Sequence, residues 1–162
     1  MADATYTLNP IGKVIVDDDG FTLSIDEAYR EGLTELDGFG YIDVLFWCHY
    51  LDEPEYRAMT IAEKPYKQAP DRIGIFATRS PARPNPIALT PVAVLGIDID
   101  AGIVRIPYID AESDSPILDL KPYLPALDRI RDVTVPEWCA DWPEWYEDSA
   151  TFDWGAVFEN AQ

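Results

Sequence analysis

Residues 73–90 read IGIFATRSPARPNPIALT, and this proline-rich stretch is the most informative part of the chain. Three prolines, Pro81, Pro84 and Pro86, fix three backbone φ angles within six residues. A loop stiffened in this way loses little conformational entropy when it closes on a ligand. The stretch therefore predicts a preorganised loop between two apolar segments.

The same loop carries side chains that suit a ligand with charged and hydrogen-bonding groups. Arg79 and Arg83 have guanidinium groups that bind a carboxylate or phosphate through two parallel hydrogen bonds, and the Asn85 amide both donates and accepts. The backbone amides near Ile87 and Ala88 are further donors. The alternative is a structural loop whose arginines pair with some of the many aspartates, and the residues alone leave both interpretations open.

The segments on either side of the loop predict short strands with turns between them. The expected strands are residues 11–16, 21–25, 41–49 and 103–109, with a longer apolar run at 87–99. Asp26 is expected to cap a short helix over residues 27–32, and the charged, proline-bearing residues 52–71 are expected to form a loop. Short strands with few helices predict a small barrel or a folded sheet.

A second candidate site lies in residues 114–123, which read DSPILDLKPY. Asp119 and Lys121 are two positions apart, so on a strand their side chains project from the same face. The Asp119 carboxylate can accept from ribose hydroxyls or an amino group, and the Tyr123 ring offers its face to a cation such as a sulfonium. The alternative is a surface Asp119–Lys121 ion pair, which contributes little.

His49 is the single histidine of the chain, and it ends the apolar run before residue 50. One histidine cannot build a multi-histidine metal site, and no cysteine or carboxylate cluster has the spacing of metal ligands, so no metal site is predicted. His49 itself has two interpretations, as the half-buried polar end of a strand or as a site residue. Cys48 and Cys139 are expected to be buried, reduced thiols.

The C-terminal part of the chain is rich in tryptophan. Trp138, Trp142 and Trp145 follow the i, i+4, i+7 spacing of one helix face, although Pro143 should interrupt such a helix. Ser149 is expected to cap a last short helix. An aromatic stripe of this kind usually serves packing, and we expect it to cover the domain or a dimer contact.

Charge and composition restrict the class of protein. Thirty acidic residues and twelve basic ones give a net charge of −18, which repels polyanions and suits a high-salt cytoplasm. A nucleic-acid substrate would therefore have to meet a local basic patch. No apolar run approaches the roughly 20 residues of a membrane span, and the N-terminus lacks the pattern of a signal peptide. We therefore expect a cytoplasmic protein without a membrane partner.

Taken together, these motifs resemble those of the TsaA-like (TrmO-type) family of methyltransferases. The family signature is roughly G-x-F-A-T-R-S-P-x-R-P-N-P-I-G, and residues 74–88 match it except that Ala88 replaces the last glycine. Downstream the family has D-x-L-D-G-T-P-V-L-D-I-K-P-Y, where residues 110–123 read DAESDSPILDLKPY. The segments NPIGKVI at residues 9–15 and FWCHYL at 46–51 also fit. The chain is thus similar to a short, stand-alone member over about residues 9–138.

The resemblance implies a particular fold and assembly. It implies a mainly β single domain, a small mixed-sheet pseudo-barrel with a few short helices, over residues 1–138. Residues 139–162 would then be a tryptophan-rich extension that packs on this domain or on a dimer partner. The family also implies a homodimer with its cofactor in a crevice near the subunit interface. One departure is the sequence E-S-D-S at residues 112–115, where the family has L-D-G-T, with a glycine that permits a tight turn.

The same resemblance implies an S-adenosylmethionine-dependent methyltransferase. Its methyl acceptor is either a modified adenosine near the tRNA anticodon, methylated on nitrogen, or a small molecule, and a non-catalytic S-adenosylmethionine-binding module is a further alternative. The implied cofactor-binding residues are Arg79, Arg83, Asn85, Pro86, Ile87, Ala88, Leu118, Asp119 and Lys121. No catalytic residue is assigned, and the candidates are Asp119, Lys121, Tyr123 and His49.

Overall fold

Nine short strands make up most of the regular structure in the computed structural model, which describes residues 5–159. The strands are β1 (Gly12–Asp17), β2 (Gly20–Ile25), β3 (Tyr41–Trp47), β4 (Ile61–Glu63), β5 (Arg72–Gly74), β6 (Ile87–Ala93), β7 (Gly96–Asp98), β8 (Ile103–Ile106) and β9 (Pro116–Pro122). The α-helices are single turns, α1 (Pro54–Arg57), α2 (Pro125–Asp128) and α3 (Trp154–Val157). Six 3-10 helices lie at Glu27–Leu33, Leu36–Gly38, His49–Leu51, Ile75–Ala77, Glu137–Cys139 and Tyr146–Thr151. The mainly β class is confirmed.

Seven strands form one sheet in the order β6–β3–β9–β1–β2–β8–β7, while β4 and β5 form a separate hairpin. Every strand pair within the described residues is antiparallel, so the prediction of a mixed sheet is wrong. Parallel pairs need long crossover connections, and most of the links between consecutive strands here are short. The interior strand β9, third in this order, joins the β6–β3 pair to the other four strands of the sheet.

The expected barrel is incomplete, because the edge strands β6 and β7 do not pair with each other. Only Val94 and Leu95 connect β6 to β7, although the two strands lie at opposite edges of the sheet. The Val94 amide donates to Gly40 beside β3, and the Leu95 amide donates to Arg105 in β8. The sheet must therefore curl until its two edges come close, which gives a barrel-like shape without a closed ring of strands.

Alternate residues of the long strands build the core. The predicted hairpin of the first two strands is confirmed, with Asp17 opposite Gly20 at the turn. In β3 the side chains of Ile42, Val44 and Phe46 are buried while their neighbours are more exposed, as the two-residue period of a strand requires. Burial of each such side chain stabilises the fold by roughly 1.5–3 kcal/mol. The other fully buried apolar strand residues are Val14, Leu23, Val92, Val104 and Ile117.

Several predicted local elements differ from the structure. The segment after Asp26 is a 3-10 helix, and the Asp26 side chain does not cap it. Residues 52–71 contain α1 and β4 rather than only loop. Among the helices of residues 5–159, none has the length and apolar character of a membrane span. Both cysteines are free thiols, but only Cys139 is fully buried and Cys48 is half-buried.

The tryptophan-rich tail does not form the single helix that the spacing suggests. Separate short turns replace it, Ser149 lies inside a 3-10 helix, and Asp153 caps α3 by accepting from the Ala156 amide at 3.2 Å. Pro143 supplies the physical reason, because proline removes a helical hydrogen bond. The division into residues 1–138 and 139–162 stays a prediction.

The tail is held to the β4–β5 region by an aromatic cluster around Tyr66. The Tyr66 ring stacks on Trp138 at 5.3 Å and meets Trp142 edge-on at 5.0 Å and Phe158 at 5.4 Å. Next to it, the Lys67 amide donates to the Val157 carbonyl at 2.9 Å. Aromatic pairs of this geometry add about 0.5–1.5 kcal/mol each beyond their buried area.

Candidate functional site

Two cavities lie on opposite faces of the sheet, at the end of β3 that is next to the arginine loop. Phe46 and Ala88 face each other across β3 and β6 and line one cavity, which we call the inner pocket. Trp47 and Ile87, the next cross-strand pair, line the other, which we call the outer pocket. Neighbouring strand residues point to opposite faces, and this alternation separates the two cavities.

The inner pocket has a volume of about 560 Å³ and combines aromatic walls with charges of both signs. Volumes of this order are typical of small-molecule sites. Among its described lining residues Arg79 is the one arginine, no lysine is present, and the acidic side chains are Asp110 and Glu112. Its aromatic side chains are Phe21, Phe46, Tyr50 and Tyr108, with His49 beside them.

The loop that carries Arg79 is fixed by more than its prolines. The buried Thr78 hydroxyl donates to the Ile75 carbonyl at 2.8 Å and accepts from the Ser80 amide at 3.2 Å. At the other end of the loop, the Pro86 carbonyl accepts from the Cys48 amide at 2.8 Å, which ties the loop to the end of β3. The preorganised loop that the sequence predicts is therefore present.

His49 enters the inner pocket next to a buried serine. The Ser115 hydroxyl is 3.3 Å from His49 Nδ1, and Ser115 is only 2% exposed. The backbone of Ser115 is fixed on both sides, since its carbonyl accepts from the Val14 amide and its amide donates to the Glu112 carbonyl. The imidazole also contacts the Tyr50 ring, with 4.1 Å between ring centroids. His49 is thus held in place by Ser115 and Tyr50, so its position does not depend on a bound ligand.

The turn at residues 112–115 forms without the glycine that the family carries. Asp114 takes that position with a φ of 66°, in the left-handed region that aspartate tolerates better than most residues. Its carboxylate bonds Lys13 Nζ at 2.5 Å, and this hydrogen bond lowers the pKa of Asp114 below its ordinary value. The Ser113 hydroxyl accepts from the Val16 amide at 3.2 Å, which closes the turn against β1.

The electric field around the inner pocket is mixed. Burial raises the pKa of the Cys48 thiol, the Asp110 carboxylate raises it further, and the Arg83 guanidinium acts in the opposite direction. Arg83 therefore lies close enough to act on this pocket although it does not line it. On the other sheet face, burial and the Asp128 carboxylate raise the pKa of Asp43, which Arg79 partly offsets.

The residues that the sequence predicted for one cofactor site do not share one pocket. Arg79 and Ala88 line the inner pocket, whereas Asn85, Ile87 and Leu118 line the outer one. Pro86 is buried between them. The other predicted residues, Asp119, Lys121 and Tyr123, line neither cavity.

Asp119 and Lys121 share a face of β9, as predicted, and bind each other at 2.5 Å in an exposed ion pair. A one-residue irregularity in β9 leaves Leu118 without a partner on β3. Tyr123 follows β9, and its amide donates to the Tyr41 carbonyl at 3.0 Å.

Sequence reasoning missed most of the inner-pocket walls. Phe21, Tyr50 and the residues Tyr108, Asp110 and Glu112 come from three separate segments, and only the fold brings them together. Two signals were available, since the motif around residue 110 and the F-W-C-H-Y-L run both supply wall residues. Within residues 5–159 no group of three or more histidine, cysteine or acidic side chains is placed to hold a metal ion.

Comparison with known proteins shows that the chain is similar to methyltransferase-related domains. The family model of the tRNA-methyltransferase O N-terminal domain matches residues 6–129. An S-adenosyl-L-methionine-binding protein of Archaeoglobus fulgidus is 31% identical over 111 residues, which cover 68% of this chain and 74% of that protein. The tRNA (adenine(37)-N6)-methyltransferase of Escherichia coli K12 is 32% identical over 102 residues, 62% of this chain and 43% of the enzyme.

The fold has a solved counterpart. A crystal structure of TrmO superposes with a TM-score of 0.64 at 23% identity, and the match covers 82% of this chain and 64% of that one. The chain therefore spans less than two thirds of the solved protein and under half of the E. coli enzyme. At this identity the superposition shows a shared fold.

Proposed function

This chain belongs to the family of the tRNA-methyltransferase O N-terminal domain, and we propose from this that it is an S-adenosylmethionine-dependent methyltransferase. We place its cofactor in the inner pocket. The observation that carries this assignment is that Arg79, two carboxylates and four aromatic rings surround one cavity of suitable volume.

The chemistry of the inner pocket fits each part of the cofactor. Arg79 presents a planar guanidinium to the methionyl carboxylate, a pairing that forms two hydrogen bonds. Asp110 and Glu112 supply acceptors for the ammonium group and the ribose hydroxyls, and Tyr50 and Tyr108 offer ring faces to the adenine or the sulfonium. The outer pocket has no carboxylate among its described lining residues, so it does not suit a ligand with two cationic groups.

The residues named for the cofactor from sequence take different roles in this proposal. Arg79 and Ala88 contact the cofactor, and Arg83 adds positive potential beside it. Asn85, Ile87 and Leu118 belong to the outer pocket. Pro86 fixes the loop between the two cavities. Asp119 and Lys121 lie on the outer sheet face and do not reach the cofactor.

When bound, S-adenosylmethionine supplies an electrophilic methyl group, so the protein needs no nucleophile of its own. The pocket residues align the acceptor with this methyl group and exclude water, and alignment alone can contribute up to about 7–11 kcal/mol. An acceptor nitrogen must also lose a proton. His49 accepts it at Nε2 when Nδ1–H donates to the Ser115 hydroxyl, the tautomer that leaves the Nε2 lone pair free.

We propose tRNA, at an adenosine near the anticodon, as the acceptor. The support is the similarity to the E. coli tRNA (adenine(37)-N6)-methyltransferase, and with such a substrate the protein would act in the cytoplasm. The net charge of −18 opposes binding of a polyanion, so Arg79 and Arg83 must provide the local positive region. A tRNA complex held this way weakens as salt is added, whereas methylation of a small molecule is nearly independent of salt.

We also propose that the protein is a homodimer. Residues 125–137 are exposed throughout, and they carry Leu127, Ile130 and Val133, which are 66–77% exposed. Large apolar side chains in one exposed segment indicate a surface that a partner covers. Analytical ultracentrifugation should give a dimer for the native protein and a monomer for Ile130→Glu. A monomeric native protein would contradict the proposal.

Methyl transfer itself is tested by incubating the protein with methyl-labelled S-adenosylmethionine and either total tRNA or a cell extract freed of nucleic acid. Label in tRNA supports the proposed acceptor, and label in the extract supports a small molecule. Cofactor binding without transfer to either supports a binding module, a role consistent with the similarity to the S-adenosyl-L-methionine-binding protein of A. fulgidus. Arg79→Gln is the matched control, since it should weaken cofactor binding and reduce transfer together. No binding at millimolar cofactor would end the methyltransferase assignment.

A further inference from the structure

The outer pocket is a second cavity that methyl transfer does not require. It has a volume of about 900 Å³ and lies between the exposed N-terminal segment and the ends of β3, β6 and β9. Among the lining residues within 5–159, Arg57 is the charged one, in a chain whose net charge is −18. The described lining residues include no carboxylate, and this favours neutral or anionic ligand groups.

An indole and a guanidinium are held together at this pocket by one carboxylate. Asp52 accepts from Trp47 Nε1 at 3.0 Å and from Arg57 Nη1 at 2.8 Å. The Arg57 guanidinium carbon lies 5.7 Å from the centre of the Trp47 ring. A guanidinium has five N–H donors, so the bond to Asp52 leaves others for a ligand. The aromatic surface and the cation are therefore oriented before any ligand arrives.

A hydrogen-bonding group on restricted backbone lines the same pocket. Asn85 lies between Pro84 and Pro86, whose rings restrict the backbone on both sides, and its exposed amide lines the outer pocket. An amide of this kind can donate to and accept from the edge of a nucleobase. Tyr6 adds a second aromatic ring to the lining.

We propose that the outer pocket binds a nucleotide, either free or as one unit of single-stranded RNA. The base stacks on the aromatic lining at Trp47 and Tyr6, the Asn85 amide bonds its edge, and Arg57 binds its phosphate. Stacking of this kind tolerates different bases, because every base has an aromatic face. The sheet separates this pocket from the inner one, so in a tRNA complex the bound nucleotide is a neighbour of the methylated one. This inference does not depend on the methyltransferase assignment.

Calorimetric titration with AMP, UMP and a five-nucleotide single-stranded RNA tests the proposal. We expect measurable binding of the mononucleotides, weakened about tenfold or more by Arg57→Gln and by Asn85→Ala. Arg79→Gln is the matched control for AMP and UMP, because it removes an arginine of the inner pocket and should leave the affinity for these mononucleotides unchanged. Because Asn85 is exposed, its variant should fold normally. It keeps the test valid even if the substitution of Arg57 disturbs α1.

The outcomes separate the two sources of the ligand and the two pockets. RNA that binds at least about tenfold tighter than UMP identifies a strand-binding site, and equal affinity identifies a free nucleotide. No binding of any of the three at millimolar concentration overturns the proposal. Equal losses in Arg57→Gln and Arg79→Gln would also overturn it. Binding of S-adenosylmethionine, measured on the same variants, shows separately whether the inner-pocket assignment holds.

Discussion

The inner and outer pockets flank the same end of the sheet, yet they differ in the charges that line them. The inner pocket contains Arg79 with Asp110 and Glu112, and the described lining of the outer pocket contains Arg57 and no acid. Both take wall residues from the last positions of β3 and the first of β6. One strand pair can therefore serve two unlike ligands, because consecutive side chains leave it in opposite directions.

The difference also shows how a strongly acidic protein keeps regions that accept anions. In the outer pocket Arg57 is fixed by Asp52, which is not itself a lining residue, so the described lining presents a cation and no carboxylate. In the inner pocket the acids face the ligand directly. The net charge of the chain therefore does not predict what either pocket binds. The side chains that line each pocket determine its ligand preference.

The largest expected effect is on the inner pocket. Arg79→Gln should weaken S-adenosylmethionine binding by about 2 kcal/mol, roughly thirtyfold, because a charge-assisted hydrogen bond to the ligand carboxylate is lost. Isothermal titration measures this. Arg57→Gln provides the comparison, and a loss as large as that of Arg79→Gln would mean that the two pockets are not independent.

A smaller effect, on nucleotide affinity, is expected when a carboxylate is introduced into the outer pocket, like those that the inner pocket already has. Asn85→Asp keeps the shape of the side chain and adds a negative charge beside the expected phosphate and base edge. We expect nucleotide affinity to fall about tenfold while cofactor affinity stays the same. Unchanged nucleotide binding would show that Asn85 does not touch the ligand.

The outer sheet face should also respond to pH through Asp43. Burial and the Asp128 carboxylate raise the pKa of Asp43 in the folded state. Ionisation of Asp43 therefore lowers the free energy of unfolding. The cost is absent below the unfolded pKa and complete above the folded one. Asp43→Asn should therefore raise the unfolding midpoint at pH 7 and not at pH 3. Equal shifts at both values would contradict the titration of Asp43 as the cause.

The smallest effect is expected at the turn that borders the inner pocket. Asp114→Gly restores the residue that the family carries at a φ of 66°, and it removes the ion pair with Lys13. Glycine relieves the left-handed strain but increases the freedom of the unfolded chain, so thermal unfolding should change little. A large loss of stability would show that the Lys13 contact holds the turn, and Lys13→Ala would then reproduce it.

Local features were predictable from sequence and the walls of the pockets were not. The β1–β2 hairpin follows from alternation about a tight turn, and the rigid loop follows from its prolines. Adjacent residues such as Ile87 and Ala88 were expected in one site because the motif is continuous. Strand geometry sends them to opposite faces, and which face meets which cavity depends on partners far away in sequence. Tyr108 and Glu112 carry no recognisable pattern, so only the tertiary structure assigns them.

The interior position of β9 in the sheet has a consequence for how the chain assembles. Until β9 inserts, the β6–β3 pair has no partner in the remaining strands, since β9 alone joins it to β1. Gly12 pairs with Ile117, so this contact closes most of the chain into a loop, and such non-local pairing slows folding. Ser115 and Glu112 come just before β9 in sequence, so they arrive together with it. The inner pocket is therefore complete only once β9 has joined the sheet, although the β3–β6 pair already carries part of its wall.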